Sequence, residues 1–227
     1  MYNIGLFFYK KTHTMNKSAL IFIAALAFVS THTFAAGDTA KGKAQSATCM
    51  ACHGATGNSM VPNFPKIAGQ GEVYVLKQLK DFKSGDRKDA LMAGIVAALS
   101  EDDMANLAAH FSKQSVTQGV ASKAANIALG EKLYRGGDKS RGITACIACH
   151  GPKGAGVPSA GFPALASQHA AYTAKQLKDF RQVSINLQTE AKTPARMNDD
   201  RKMMVALTKS LNNTEIEALA QYIAGLH

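Results

Sequence analysis

The chain has 227 residues, 26 lysines and arginines against 16 acidic residues for a formal charge of +10, and only four cysteines. The positive excess invites a nucleic-acid reading, but the lysines sit beside acids (Lys80-Asp81, Lys178-Asp179) and build no polybasic block or aromatic-interleaved stripe. Nucleic acid is therefore excluded as a partner, and the charge is read as steering toward an acidic protein or an anionic surface.

In chain order, Lys10, Lys11 and Lys17 precede the apolar run Ala19–Val29, which is shorter than the roughly 20 residues a bilayer span needs. With small residues at Ala35 and Ala36, this predicts an export signal over residues 1–35, cleaved after Ala35. The alternative is a retained membrane anchor. Cleavage leaves 192 residues with a charge of +7, enough for one large or two small domains.

The next feature occurs twice. Cys49-Met50-Ala51-Cys52-His53 and Cys146-Ile147-Ala148-Cys149-His150 use all four cysteines, and each is followed by glycine. C-x-x-C-H is the attachment sequence of c-type haem: the thiols of one helical turn add to the porphyrin edge and the histidine comes to lie under the iron. A Cys₄ zinc site fits poorly, because the pairs are far more than the usual roughly 15–20 residues apart. A thioredoxin-like C-x-x-C needs a βαβ setting, and neither copy lies in β-rich alternation. The prediction is two covalently bound haem c groups, held by Cys49, Cys52 and His53 and by Cys146, Cys149 and His150. Their propionates would bring the charge of +7 nearer +3.

With His53 set against His150, the halves match well beyond the motif. Asn63-Phe64-Pro65 faces Gly161-Phe162-Pro163, Gln70 faces Gln168, Tyr74 faces Tyr172, and Lys77–Phe82 recurs unchanged as Lys175–Phe180. Two copies of about a hundred residues predict paired domains: 36–113, a polar small-residue linker 114–125, and 126–227. Apolar residues at helical spacing (Tyr74, Leu76, Leu79, Phe82) and capping boxes at Ser100/Asp103 and Asn212/Glu215 predict an all-α chain with no strands. Each unit is loop-rich, and a covalently fixed haem would complete its core. One departure from the repeat is an insertion in the second half, Ser184 to Asp200.

The repeat also sorts candidates for the second axial ligand. Met92 lies seven residues before Leu99, and Met204 seven before Leu211, each just ahead of the last helix of its half. Met203 falls out of register and is the alternative to Met204. Met50, Met60, Met104 and Met197 lack counterparts and are read as core fillers. His110, His169 and His227 also lack matching histidines and are read as surface or helix-packing residues.

Together with Leu133-Tyr134-Arg135-Gly136-Gly137, Ser167-Gln168-His169-Ala170 and the terminal Tyr222-Ile223 stretch, these residues resemble the dihaem cytochrome c4 family over the whole mature chain. The resemblance implies two class I cytochrome c folds facing each other about a pseudo-twofold axis. It further implies a periplasmic or loosely membrane-associated carrier, with no small-molecule substrate, that takes electrons from the bc1 complex and passes them to a terminal oxidase, often of the cbb3 type. By the same resemblance, the carbonyls of Pro65 and Pro163 would accept hydrogen bonds from Nδ1 of His53 and His150. A dihaem subunit of a flavocytochrome or another periplasmic dehydrogenase would have a very similar sequence. A peroxidase-type haem enzyme needs an open iron face and a distal acid or base, and no histidine or glutamate repeats near Met92 or Met204.

Overall fold

The computed structural model describes residues 37–122, 124 and 126–227; the expected export signal lies outside them. Among the described residues there are α-helices, three short 3₁₀ turns and two isolated antiparallel bridges, Asp138–Ile143 and Val157–Phe162, but no strands. No described helix is long and apolar enough to cross a membrane.

The first half contains α1 (Thr39–Gln45), α2 (Ala47–His53), α3 (Glu72–Ser84), α4 (Ala90–Val96) and α5 (Glu101–Ser112). The second contains α6 (Ile127–Gly136), α7 (Ile147–His150), α8 (Ala170–Thr189), α9 (Met203–Thr208) and α10 (Asn213–Ala224). Packing repeats with the sequence: α1 crosses α5 as α6 crosses α10, α3 lies on α5 as α8 lies on α10, and α4 and α9 lean on α3 and α8.

Both expected capping boxes open the last helix of their half. Ser100 Oγ accepts from the Asp103 amide at 3.1 Å and Asp103 returns the contact at 2.9 Å. Asn212 and Glu215 exchange the same pair at 2.9 Å each. Satisfying these end amides lets α5 and α10 bury their apolar faces, Met104, Leu107 and Phe111 in one and Ile216, Leu219 and Ile223 in the other. Their partners approach closely: a Cβ on Gly42 would lie 2.0 Å from the Asn106 carbonyl oxygen, and one on Gly130 would lie 2.2 Å from that of Ala218. Only glycine fits either crossing.

Two expectations change. Met104 is buried at 2% exposure, as a core filler should be, but Met50, Met60 and Met197 are exposed, Met60 at 90%. Met60 and Met197 lie in loops, and Met50 lies on the outward face of α2. The insertion in the second half is partly helical: α8 runs 20 residues where α3 runs 13. The chain returns through Arg201 and Lys202, both left-handed at φ 55°, into α9.

The segment expected as a linker is fastened to both halves. Thr117 donates its amide and hydroxyl to Asn58 Oδ1 at 2.8 and 3.1 Å, and its carbonyl accepts from Lys66 Nζ at 2.7 Å. The Ser122 amide donates to Gln221 Oε1 at 2.8 Å.

Candidate functional site

Each half presents its motif on a short helix. In α2 one turn carries Cys49, Cys52 and His53, and in the second half Cys146 caps the single turn α7 that ends at His150. All four cysteines are half-buried and no disulfide joins them. Burial pushes the Cys49 thiol up and the Cys146 thiol up to about 11, so as free groups they are protonated at neutral pH.

The two histidines are buried, at 8% and 6% exposure. His53 Nδ1 lies 2.8 Å from the Pro65 carbonyl oxygen and His150 Nδ1 lies 2.9 Å from that of Pro163. This is the contact the resemblance implied. Burial lowers both imidazole pKa values, with the proline carbonyls partly opposing it. A neutral ring with its proton committed at Nδ1 keeps the Nε2 lone pair free to bind a metal.

A continuous cavity is lined by Cys49, Cys52, His53 and Met92 from the first half and by Cys146, Cys149, His150 and Met204 from the second. Met92 stands on the first turn of α4, whose cap residue Asp89 accepts from the Met92 amide at 3.0 Å. Met204 is half-buried and packs against Phe180, Val183 and Val205. Met203 also reaches the cavity wall but is 41% exposed. Among the described residues no three His, Cys, Asp or Glu side chains gather to hold a bare metal ion. Each histidine instead faces a space that its own pair of thiols also lines.

Sequence reasoning missed the chemistry of the seam between the halves. Arg87 stacks on Phe82, with its guanidinium carbon 4.5 Å from the ring centre, and donates to Gln78 at 2.8 Å, Tyr172 at 2.9 Å and Gln176 at 3.0 Å. Arg196 stacks on Phe180 at 4.6 Å and donates to Gln176 at 2.8 Å, Tyr74 at 3.0 Å and Gln78 at 3.0 Å. Both arginines are buried and line the cavity, and the acceptors named are neutral amide and phenol oxygens. Burial alone would raise the Tyr74 phenol, but Arg196 and Arg87 outweigh it and hold the group below its ordinary value.

Among the described residues no carboxylate lies within ion-pair distance of either guanidinium, and buried cations are costly unless an anion meets them. A porphyrin with propionates answers that requirement, so this cavity wall fits haem as well as the thiols and imidazoles do. Gln78 and Gln176 stood inside the identical six-residue stretch, and that identity was the available signal. Arg196 gave none, because it lies in the insertion and out of register with Arg87. His169, read as a surface or packing residue, reaches across the seam, with Nε2 2.9 Å from the Ser59 carbonyl oxygen.

The profile of the Cytochrome c family matches residues 39–115 and 127–227. Cytochrome c4 of Pseudomonas aeruginosa is 48% identical over 194 residues, which span 85% of this chain and 90% of that protein. The thiosulfate dehydrogenase electron acceptor of Stutzerimonas stutzeri is 37% identical over 182 residues, 78% of each. Among solved structures, reduced recombinant cytochrome c4 from Pseudomonas stutzeri matches with a TM-score of 0.76 at 46% identity, covering 85% of this chain and all of that one.

Proposed function

Since the chain belongs to the cytochrome c4 family and is a dihaem electron carrier with two covalently bound haem c groups, we propose that it works in the periplasm, taking electrons from the bc1 complex and delivering them to a terminal oxidase of the cbb3 type. In this reading residues 1–35 export the chain, and 36–113 and 126–227 are its two cytochrome domains. Cys49 and Cys52 form the thioethers of the first haem, and Cys146 and Cys149 those of the second. His53 and His150 are the proximal ligands, and Met92 and Met204 close the opposite faces.

The observation that carries this reading is the matched pair of buried imidazoles, each tied through Nδ1 to a proline carbonyl, with a methionine of the same half in the same cavity. Bound there, haem supplies a one-electron ferric/ferrous couple. The chain orients the donors and excludes water. Thioether sulfur is a weak donor that favours ferrous iron, so His/Met pairs suit the high-potential end of a chain. Met92 and Met204, if they bind as proposed, would leave no open face on the iron for a substrate, unlike a peroxidase. Arg87 and Arg196, buried on the cavity wall, would meet the propionates.

A redox titration with optical detection on the purified mature protein tests this reading. Two one-electron transitions at high potential are expected, with no rapid carbon monoxide binding to the native reduced form; rapid binding would overturn it. A second reading is supported by the 37% identity to a thiosulfate dehydrogenase electron acceptor: the chain accepts electrons from a periplasmic dehydrogenase, as a flavocytochrome subunit also would. Retention of such an enzyme by the tagged protein, with electrons passing from its substrate to the haems, would favour it over the bc1 route.

A further inference from the structure

The geometry points to a crossed arrangement in which each half positions the haem-ligating histidine of the other through a glutamine: Gln168 acts on His53, and Gln70 acts on His150. The inference rests on the proposed ligation of haem by those two histidines.

Gln168, from the second half, accepts from the Lys66 amide at 2.9 Å and donates to the Lys66 carbonyl at 2.8 Å. Lys66 follows Pro65, so the amide that Gln168 grips belongs to the same peptide unit as the carbonyl that accepts from His53 Nδ1. A peptide unit is planar, and fixing its N–H fixes the direction of its C=O. Gln70 repeats the arrangement in reverse. It accepts from the Ala164 amide at 2.8 Å and donates to the Ala164 carbonyl at 3.0 Å. The gripped amide shares its peptide plane with the Pro163 carbonyl, which accepts from His150 Nδ1.

Both glutamines are buried, and each is set in place by a further contact. Gln70 Oε1 also accepts from the Gly71 amide at 3.1 Å, and Gln168 Oε1 from the His169 amide at 3.0 Å. The proline loop of the first half is held by its own half one residue later, where the Ile67 and Ala68 amides donate to Gly57 O at 2.8 and 3.0 Å. The Lys66 amide is met from across the seam.

Two effects follow. The clamp aims the carbonyl at the imidazole, and a donor–peptide–acceptor chain polarises each link, strengthening the bond to Nδ1. That bond sets the imidazole's orientation and its strength as an iron ligand. Gln70 and Gln168 touch neither iron nor ligand and are positioning residues. Loss of a clamp weakens the donor on the opposite half and favours the ferrous state there.

The test is a redox titration of the holoprotein followed by NMR signals resolved for each haem, on wild type, Gln168→Ala and Gln70→Ala. Gln168→Ala is expected to shift the first-half haem toward the reduced form by about threefold in its equilibrium constant, equivalent to about 28 mV upward at about 59 mV per tenfold, with little change at the second. Gln70→Ala is expected to do the reverse. His53 Nδ1–H should exchange faster in Gln168→Ala while His150 Nδ1–H does not. Gln168→Leu and Gln70→Leu keep the bulk while losing both bonds, and should give the same crossed pattern if an alanine variant fails to fold. Shifts confined to the haem of the substituted half, equal at both haems, or absent would overturn the inference. The wild-type potentials report on the carrier reading and the pattern among variants reports on the clamp, so either can fail alone.

Discussion

Arg87 and Arg196 exchange tyrosines across the seam: each stacks on a phenylalanine of its own half and donates to the phenol of the other, Arg87 to Tyr172 at 2.9 Å and Arg196 to Tyr74 at 3.0 Å. The pair joins the halves where their cavities meet and leaves two cations on the cavity wall. Arg196→Met removes one of them and strands the phenol oxygen of Tyr74, while Gln176 and Gln78 keep their bonds from Arg87. A buried polar group left unmet costs about 1–3 kcal/mol, so denaturant unfolding of the holoprotein should show a loss of that order. The potential of at least one haem should fall, because a cation that disfavours ferric iron has gone. Arg87→Met should behave alike, and unchanged potentials in both would separate the arginines from the cofactor.

The methionines can be tested one at a time. Met92→Ala should abolish the weak sulfur-to-ferric-iron absorption of one haem and leave that of the other. Met204→Leu should do the same in the second half and lower that haem's potential. Met203→Leu should leave both potentials close to wild type; if it removes the band instead, Met203 is the ligand.

Glu215 makes a prediction about pH. Its oxygens accept from Arg141 at 2.6 and 3.1 Å and from the Asn212 amide at 2.9 Å. The Arg141 guanidinium, with that amide, holds the carboxyl below its ordinary value of 4.5. The folded chain therefore binds this proton more weakly than the unfolded chain. The stabilisation is whole above about pH 4.5 and is lost as pH falls through the lowered folded value. Arg141 is partly exposed, so solvent screening keeps the contribution small, and Glu215→Gln should cost about 1 kcal/mol at pH 7. The gap between the wild-type and variant unfolding curves should close on acidification below pH 4.5.

Gly42→Ala and Gly130→Ala test the helix crossings. Either methyl would overlap a backbone carbonyl of the partner helix, and overpacking of this kind costs about 1–3 kcal/mol. Each variant should unfold at lower denaturant concentration, with the earliest loss of amide protection in the half that carries it. Equal stability to wild type would mean the crossings can slide.

The parts legible in sequence were those that repeat in register or follow local rules. Cys49–His53 and Cys146–His150 name their own chemistry, the boxes at Ser100 and Asn212 mark helix starts by hydrogen-bonding rules, and the Lys77–Phe82 identity placed α3 and α8. The proline–histidine contacts came by family resemblance. Arg196 was hidden because α8 runs on to Thr189 before the chain turns back, so it follows Phe180 by many more residues than Arg87 follows Phe82, and no register pairs them. Gln70 and Gln168 were aligned, yet their partners lie in the opposite half, and alignment alone does not show which backbone a side chain will meet. The exposed Met60 and Met197 were misread because methionine is used both inside and outside and neither lies on a periodic face.

The strap over residues 114–122 has a bearing on encounter. A slack tether would let each half swivel to greet a different redox partner, but this one is stitched to Asn58 and Lys66 at one end and to Gln221 at the other. The two crevices therefore hold one mutual bearing as the molecule travels. A donor and an acceptor must each approach along a direction that the opposite half leaves open, and lengthening the strap would add no reach while those stitches and the contacts across the seam hold.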